Sequence, residues 1–365
     1  METTGKPVKI TKRKLREIIL KETRRNRSSH RGSSRRSLAS YLFEDIVDDV
    51  VTALEKGPAA AKKLGNEADP KELLKTLRGD FDEVEKDDRI EITSPTMVNV
   101  GGFKPTQKEI DLMKSAAFPL GDADTLEQAI TSNTTGAPGS ITVAGDEVID
   151  GHHRWSGVWA ISGPKGNISV EDVGLPGETK QKLATAQLAI ASYKKPGQEM
   201  PAAGKPIKYN ILGMPARGIY DMLLQNVNKQ VDEKAPGPLL NHKMLKDASD
   251  NEVISKWAGF KIGADIGKVR NAIAKKVAKN LSTIPKNPAA PDRADMPQFD
   301  HKTIGGKKAK KTIYHRMKNA DINLKPPFKA EAEAAEDENE ANESTKSDEQ
   351  LVMERWMKLS GLLKD

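Results

Sequence analysis

The sequence predicts an α+β protein, with a small mixed sheet, flanking helices, a helical C-terminal extension and disordered polar tails. Three observations predict this class. Aromatic residues make up 4% and charged residues 30% of the 365, with 28 Gly and 21 Pro, a composition that supports one modest core and long solvated connections. Short apolar runs of strand length at 141–143 and 148–149 sit among longer stretches with helical periodicity. The two ends carry opposite charge: residues 1–36 hold thirteen Lys or Arg against three acids, and residues 331–349 hold nine acids against Lys346.

Taken in chain order, residues 1–37 form a basic arm, in which Leu15, Ile18 and Ile19 give a short amphipathic helix over 10–25 with Thr11 as its N-cap. Residues 28–37 are Ser, Arg and Gly and read as a flexible linker. A helical segment spans 38–92, first over 38–56, where Leu42, Ile46, Val50 and Leu54 recur every four residues until Gly57-Pro58 stops it, and again after Asp69-Pro70 until Gly79. The central domain covers 93–200. In it, 97–100 is extended, 103–112 turns into a helix, and the two strands at 141–143 and 148–149 are joined by a tight turn at Gly145-Asp146. Trp155, Val158, Trp159 and Ile161 then space a helix that packs back on the sheet, and 183–193 is strand or helix.

The extension over 201–285 is largely helical, with helices at 219–231 and 264–281; in the second, Ile266, Val269, Ile273, Val277 and Leu281 form one apolar stripe opposite a basic face. Residues 286–349 read as a Pro-rich linker, basic and then acidic and mostly disordered, and 350–365 as an amphipathic helix carrying Val352, Trp356, Leu359 and Leu363. There is no cysteine, which excludes disulfides, zinc-thiolate sites and thiol nucleophiles. No segment has the roughly 18 consecutive apolar residues of a membrane helix, so no membrane association is expected.

The chemistry concentrates at Asp150, Gly151, His152, His153 and Arg154, at the end of the second strand. Glycine lets a phosphate approach the backbone, the first N–H groups of the following helix lack partners, and a guanidinium can grip two oxygens at once. Together they describe an anion pocket. Asp150 can accept a proton or hold a divalent metal through an oxygen. Adjacent histidines diverge in direction, so one of His152 and His153 is expected on the ligand while the other orients a neighbour or fills the core. The same residues admit a purely structural role, with Asp150 capping the helix and the others satisfied at the sheet edge. Thr106 and Gln107, after Pro105, are expected to cap the helix over 103–112, and Gln107 could also bond a substrate. Two further clusters stand out: Asp295 to His301, a Pro-rich polar stretch read as a loop, and the basic run from Lys307 to Arg316 with Tyr314, suited to phosphate contact and base stacking.

An extended segment, then Pro-Thr-Gln, a spacer, a strand and a strand-end Ile-Asp-Gly-His-His-Arg resembles the ParB/sulfiredoxin superfamily, particularly the ParB-like nuclease domains of tailed bacteriophages. The resemblance spans residues 96–193. It implies a phosphate or nucleotide site formed by Thr106, Gln107, Gly151, His152, His153 and Arg154, catalysis by Asp150, His152, His153 and Arg154, and Asp150 as base or metal ligand. Mg²⁺ and a nucleotide such as CTP or ATP are the implied cofactors, and nucleotide or nucleic acid the implied partner. Departures narrow the chemistry. Sulfiredoxin has a catalytic cysteine where this chain has His152. The partition proteins carry Gly-Glu-Arg-Arg and a helix-turn-helix, which are not found here. The serine kinases carry a glutamate soon after the first strand's proline, whereas here Thr106 and Gln107 follow Pro105 and the first acid is Glu109.

The expected function is therefore DNA or nucleotide binding with phosphoester hydrolysis, as a metal-dependent nuclease or NTP hydrolase. A non-catalytic, nucleotide-gated DNA-binding module and a virion or assembly protein are the alternatives. The terminal segments, Lys9 to Arg13 and Glu354, Arg355, Trp356 with Leu359, resemble end motifs of marine tailed-phage proteins and suggest a phage structural partner, placing the chain in host cytoplasm or in the virion.

Overall fold

The computed structural model describes residues 38–79, 91–135, 139–195, 197–200, 207–231, 233–298 and 322, with side chains from Ile46 onward. The basic arm, the run from Lys307 to Arg316, the acidic stretch and the C-terminal helix expected from the sequence all lie outside the described residues. The chain divides into two compact units at Val50/Val51; the first described helix begins in the first unit, and the sheet, the other helices and the candidate site belong to the second.

Among the described residues, eleven helices accompany one five-stranded mixed sheet, an α+β protein as expected. Helix α1 (Leu38–Lys56) stops where Gly57 takes φ 95°, and Pro58 immediately opens α2 (Pro58–Glu67), a helix the sequence reading missed. Proline is tolerated at a first helical position because the N–H it lacks would have no partner there. Helix α3 (Pro70–Leu77) starts in the same way and is capped by the Asp69 side chain, which accepts from Lys71 N–H.

The sheet is built from β1 (Thr96–Asn99), β2 (Lys104–Pro105), β3 (Ile141–Ala144), β4 (Glu147–Asp150) and β5 (Asn167–Asp172), in the order β1-β5-β3-β4-β2. Strands β3 and β4 form the expected hairpin, with Gly145 at φ 62° in its two-residue turn. Strand β2 runs parallel to β4 on an edge, the position in a sheet where proline is tolerated. The expected helix over 103–112 is absent, because Lys104 and Pro105 are committed to β4. A short helix α4 (Leu112–Ala116) begins only after Asp111, whose side chain caps it.

Helices α5 (Ala123–Ser132) and α6 (His152–Ser162) follow, and α6 is the central one, with Trp155 and residues 156–161 all buried. Its apolar surface extends around the whole cylinder, as a helix packed on several sides requires. It packs against β3 and β5 on the sheet, and against α4 and α11. The ambiguous segment near 183–193 is a helix, α7 (Thr179–Ser192), opened by a capping box between Glu178 and Gln181. Helices α8 (Ala216–Gln225), α9 (His242–Ser249), α10 (Glu252–Ala258) and α11 (Ile266–Leu281) complete the extension. One hydrophobic core runs from Val100 to Ile284, so the segments expected as 93–200 and 201–285 share a single interior.

Candidate phosphate site

Strands β2 and β4 run in the same direction, and both end at one cleft of about 400 Å³. Such crevices beyond the carboxyl ends of strands are a recurrent ligand position in open sheets. A bulge precedes the site. Val143 pairs with Val148 but Thr142 pairs with Asp150, so Ile149 is one residue in excess on β4. Bulges bend a strand and re-aim the side chain that follows.

Gly151 leaves the strand with φ 94° and ψ 21°, a left-handed conformation that favours glycine. Space excludes a side chain as well: a Cβ would stand 2.6 Å from Ile141 Cγ2 and 3.1 Å from Arg154 Nη2. A Cβ on Gly139, also at positive φ, would lie 2.8 Å from Arg154 Nη1. Two glycines thus make room for one guanidinium. The Asp150 carboxylate accepts from the Gly151 N–H at 2.8 Å rather than capping α6, whose N-cap is Gly151. Burial raises the Asp150 pKa above the usual carboxylate range, although the Arg154 charge and the Gly151 hydrogen bond oppose the shift.

His152 and His153 both line the cleft, with different partners. His152 is 6% exposed, and its Nε2 accepts from the Thr106 N–H at 3.2 Å, while the Thr106 hydroxyl donates to Val148 O at 2.7 Å. Thr106 is therefore a clasp between β2, β4 and α6 and caps no helix. The Nε2 of His152 is thus taken up by the turn, while its ring lines the cleft. His153 lines the cleft with Asp150, Gly151 and Arg154, and its Nδ1 stands 3.5 Å from Ser115 Oγ. Burial, reinforced by nearby cations, lowers both histidines, His152 to about 3 and His153 to about 4, so both are neutral at pH 7. Gln107, 9% exposed, also lines the cleft and caps nothing.

Sequence reasoning missed a second part of the cleft wall. Arg293, Met296, Pro297 and Gln298 close the cleft from a segment expected to be linker. That segment is anchored: Asn287 donates to the buried Glu147 at 3.1 Å, and Met296 is 5% exposed. The polar run from Asp295 was legible as a cluster, but Arg293 carried no periodic signal. Lys114 joins His153 and Arg154 around a neighbouring recess of about 150 Å³. Three cations, Lys114, Arg154 and Arg293, thus lie about the neutral histidines, and among the described residues Asp150 is the one carboxylate lining the cleft.

Among the described residues no group of three His, Asp or Glu gathers that could hold a metal ion. Among the same residues no helix is long and apolar enough to cross a membrane. A wider groove of about 860 Å³ lies on the extension, lined by Arg217, Tyr220, Lys275, Lys276 and Lys279 over an alanine floor. Comparison with protein-family models, curated proteins and solved structures finds no match to this chain.

Proposed function

We propose that the chain binds a phosphate of a nucleotide or nucleic acid in the cleft at the start of α6 and hydrolyses a phosphoester there. The observation that carries this reading is the charge balance of the cleft, where Arg154 and Arg293 face one half-buried carboxylate at the N-terminus of an eleven-residue helix. Helix N-termini and guanidinium groups both favour anions. The resemblance to ParB-like domains points the same way.

In this reading Arg154 offsets charge on the non-bridging phosphate oxygens. Asp150, made more basic by burial, accepts the proton of the attacking water. His153 is a neutral hydrogen-bonding group against the phosphate, and His152 holds the turn through Thr106. Gln107 stands where it can bond the rest of the ligand.

The test is hydrolysis of ATP, CTP and DNA by the full chain and by Asp150→Asn, assayed with and without Mg²⁺. Asp150→Asn keeps the hydrogen bond from Gly151 and removes a carboxylate that burial disfavours, so turnover should fall at least a hundredfold with the melting temperature kept or raised. Equal turnover in the two proteins would contradict the assignment. A second reading, a non-catalytic nucleic-acid-binding module, is favoured by the basic groove, where Arg217 lies 5.4 Å from the Tyr220 ring beside three lysines. It predicts strand binding that falls steeply with salt while no product forms.

A further inference from the structure

We propose that Arg293 is a second phosphate-binding arm, delivered to the cleft that Arg154 also lines by a strap of chain distant in sequence. This inference rests on the phosphate reading above and extends the site to a residue some 140 positions beyond the strand-end motif.

The strap is residues 284–298, and its position is built. Ile284, Ala290 and Met296 are buried. Asn287 Nδ2 donates to Glu147 Oε1 at 3.1 Å, Lys108 pairs with Asp292 at 2.9 Å, and Lys62 donates to Ala294 O at 3.0 Å. Those three ties reach the start of β4, the chain after β2, and α2. They bracket Arg293, so its backbone is fixed beside the cleft.

Part of the side chain is not satisfied there. Among the described residues Arg293 Nε is buried and has no hydrogen-bond partner, whereas buried polar groups in folded proteins nearly always find one. A buried guanidinium donor without a partner weakens the fold unless something else supplies the acceptor. Arg293 lines the same cleft as Arg154 and Gly151. A phosphate of a nucleotide, held by Arg154 and the first N–H groups of α6 on one side, presents further oxygens to the strap. The Arg293 fork is the donor geometry that matches them. Met296, Pro297 and Gln298, next along the strap, then face the remainder of the ligand.

A structural role and a binding role predict opposite effects on the ligand-free protein, and Arg293→Met separates them. The full chain and this variant would be compared by thermal melting without ligand and by titration with ATP, CTP and inorganic phosphate. The binding role predicts a ligand-free melting temperature equal to or above wild type, because an unpartnered buried donor is gone, and nucleotide affinity at least tenfold weaker. Arg293→Lys should keep the charge and lose the fork, recovering only part of the affinity. A lower ligand-free melting temperature in Arg293→Met would make Arg293 structural and overturn the inference. Nucleotide binding by wild type that Arg293→Met leaves unchanged would overturn it too, with the phosphate reading intact. If wild type bound none of the three ligands, the phosphate reading itself would fall.

Discussion

At the residue scale, the candidate site is organised by what its histidines cannot do. His152 and His153 are buried among cations, so protonation is expensive for both, and their pKa values fall to about 3 and about 4 from an ordinary 6.5. The unfolded chain takes up those protons first. Their contribution to stability is therefore complete above pH 6.5 and is lost as pH falls, down to about 4 for His153 and about 3 for His152. Acidification from neutral pH through those values removes on the order of a few kcal/mol per histidine. Urea denaturation at a series of pH values should show stability falling steadily below pH 6.5, and His153→Gln should flatten part of that slope. A wild-type profile flat from pH 7 to 5 would contradict the burial assigned to these rings. Part of this was legible in the sequence: the divergence of adjacent side chains implies that the two rings take different partners. That the partner of His152 is Thr106 was not legible, because the parallel pairing of β2 with β4 brings the two together.

At the scale of elements, α6 joins the site to the rest of the fold. Its N-terminus opens the cleft, and its last carbonyls are satisfied from the extension. Asn280 Nδ2 donates to Ala160 O at 2.9 Å and Ile161 O at 3.0 Å, and Trp257 Nε1 donates to Ile161 O at 2.9 Å. Helix ends leave carbonyls without intrahelical partners, so one asparagine on α11 serves as a C-terminal cap for α6. Replacing Asn280 with Ala should cost roughly 1–3 kcal/mol in denaturant unfolding, the usual penalty for stranding a buried acceptor. A loss below a few tenths would show that water takes over the role. The strongly periodic elements were readable: α11 from its apolar stripe, α1 from its four-residue repeat, and the β3–β4 hairpin from Gly145-Asp146. Helices α2, α5, α9 and α10 and strand β5 were not. They are short, and what defines them is packing against partners distant in sequence, as α2 packs on α7 and α5 on α10. The helix expected over 103–112 failed for a related reason, since local spacing could not reveal that Lys104 and Pro105 pair with β4.

For the whole molecule, the central claim is that two distant segments meet to hold a phosphate, the strand-end run from Asp150 to Arg154 and the strap carrying Arg293. The first was visible because Asp, Gly, His and Arg adjoin in sequence at a strand end. The second was hidden by composition, since a Pro-rich polar stretch resembles a linker until Asn287, Ala290 and Met296 are seen to be buried. The shared core from Val100 to Ile284 makes that return of the chain possible. A ligand that binds only the native state raises its stability in proportion to the logarithm of its concentration. Thermal melting of the full chain and of Arg154→Ala across a nucleotide concentration series at fixed ionic strength is the most direct test. The phosphate site predicts a wild-type melting temperature that climbs with ATP or CTP and an Arg154→Ala temperature that does not move. A wild-type temperature indifferent to every nucleotide, or an equal climb in both proteins, would contradict it.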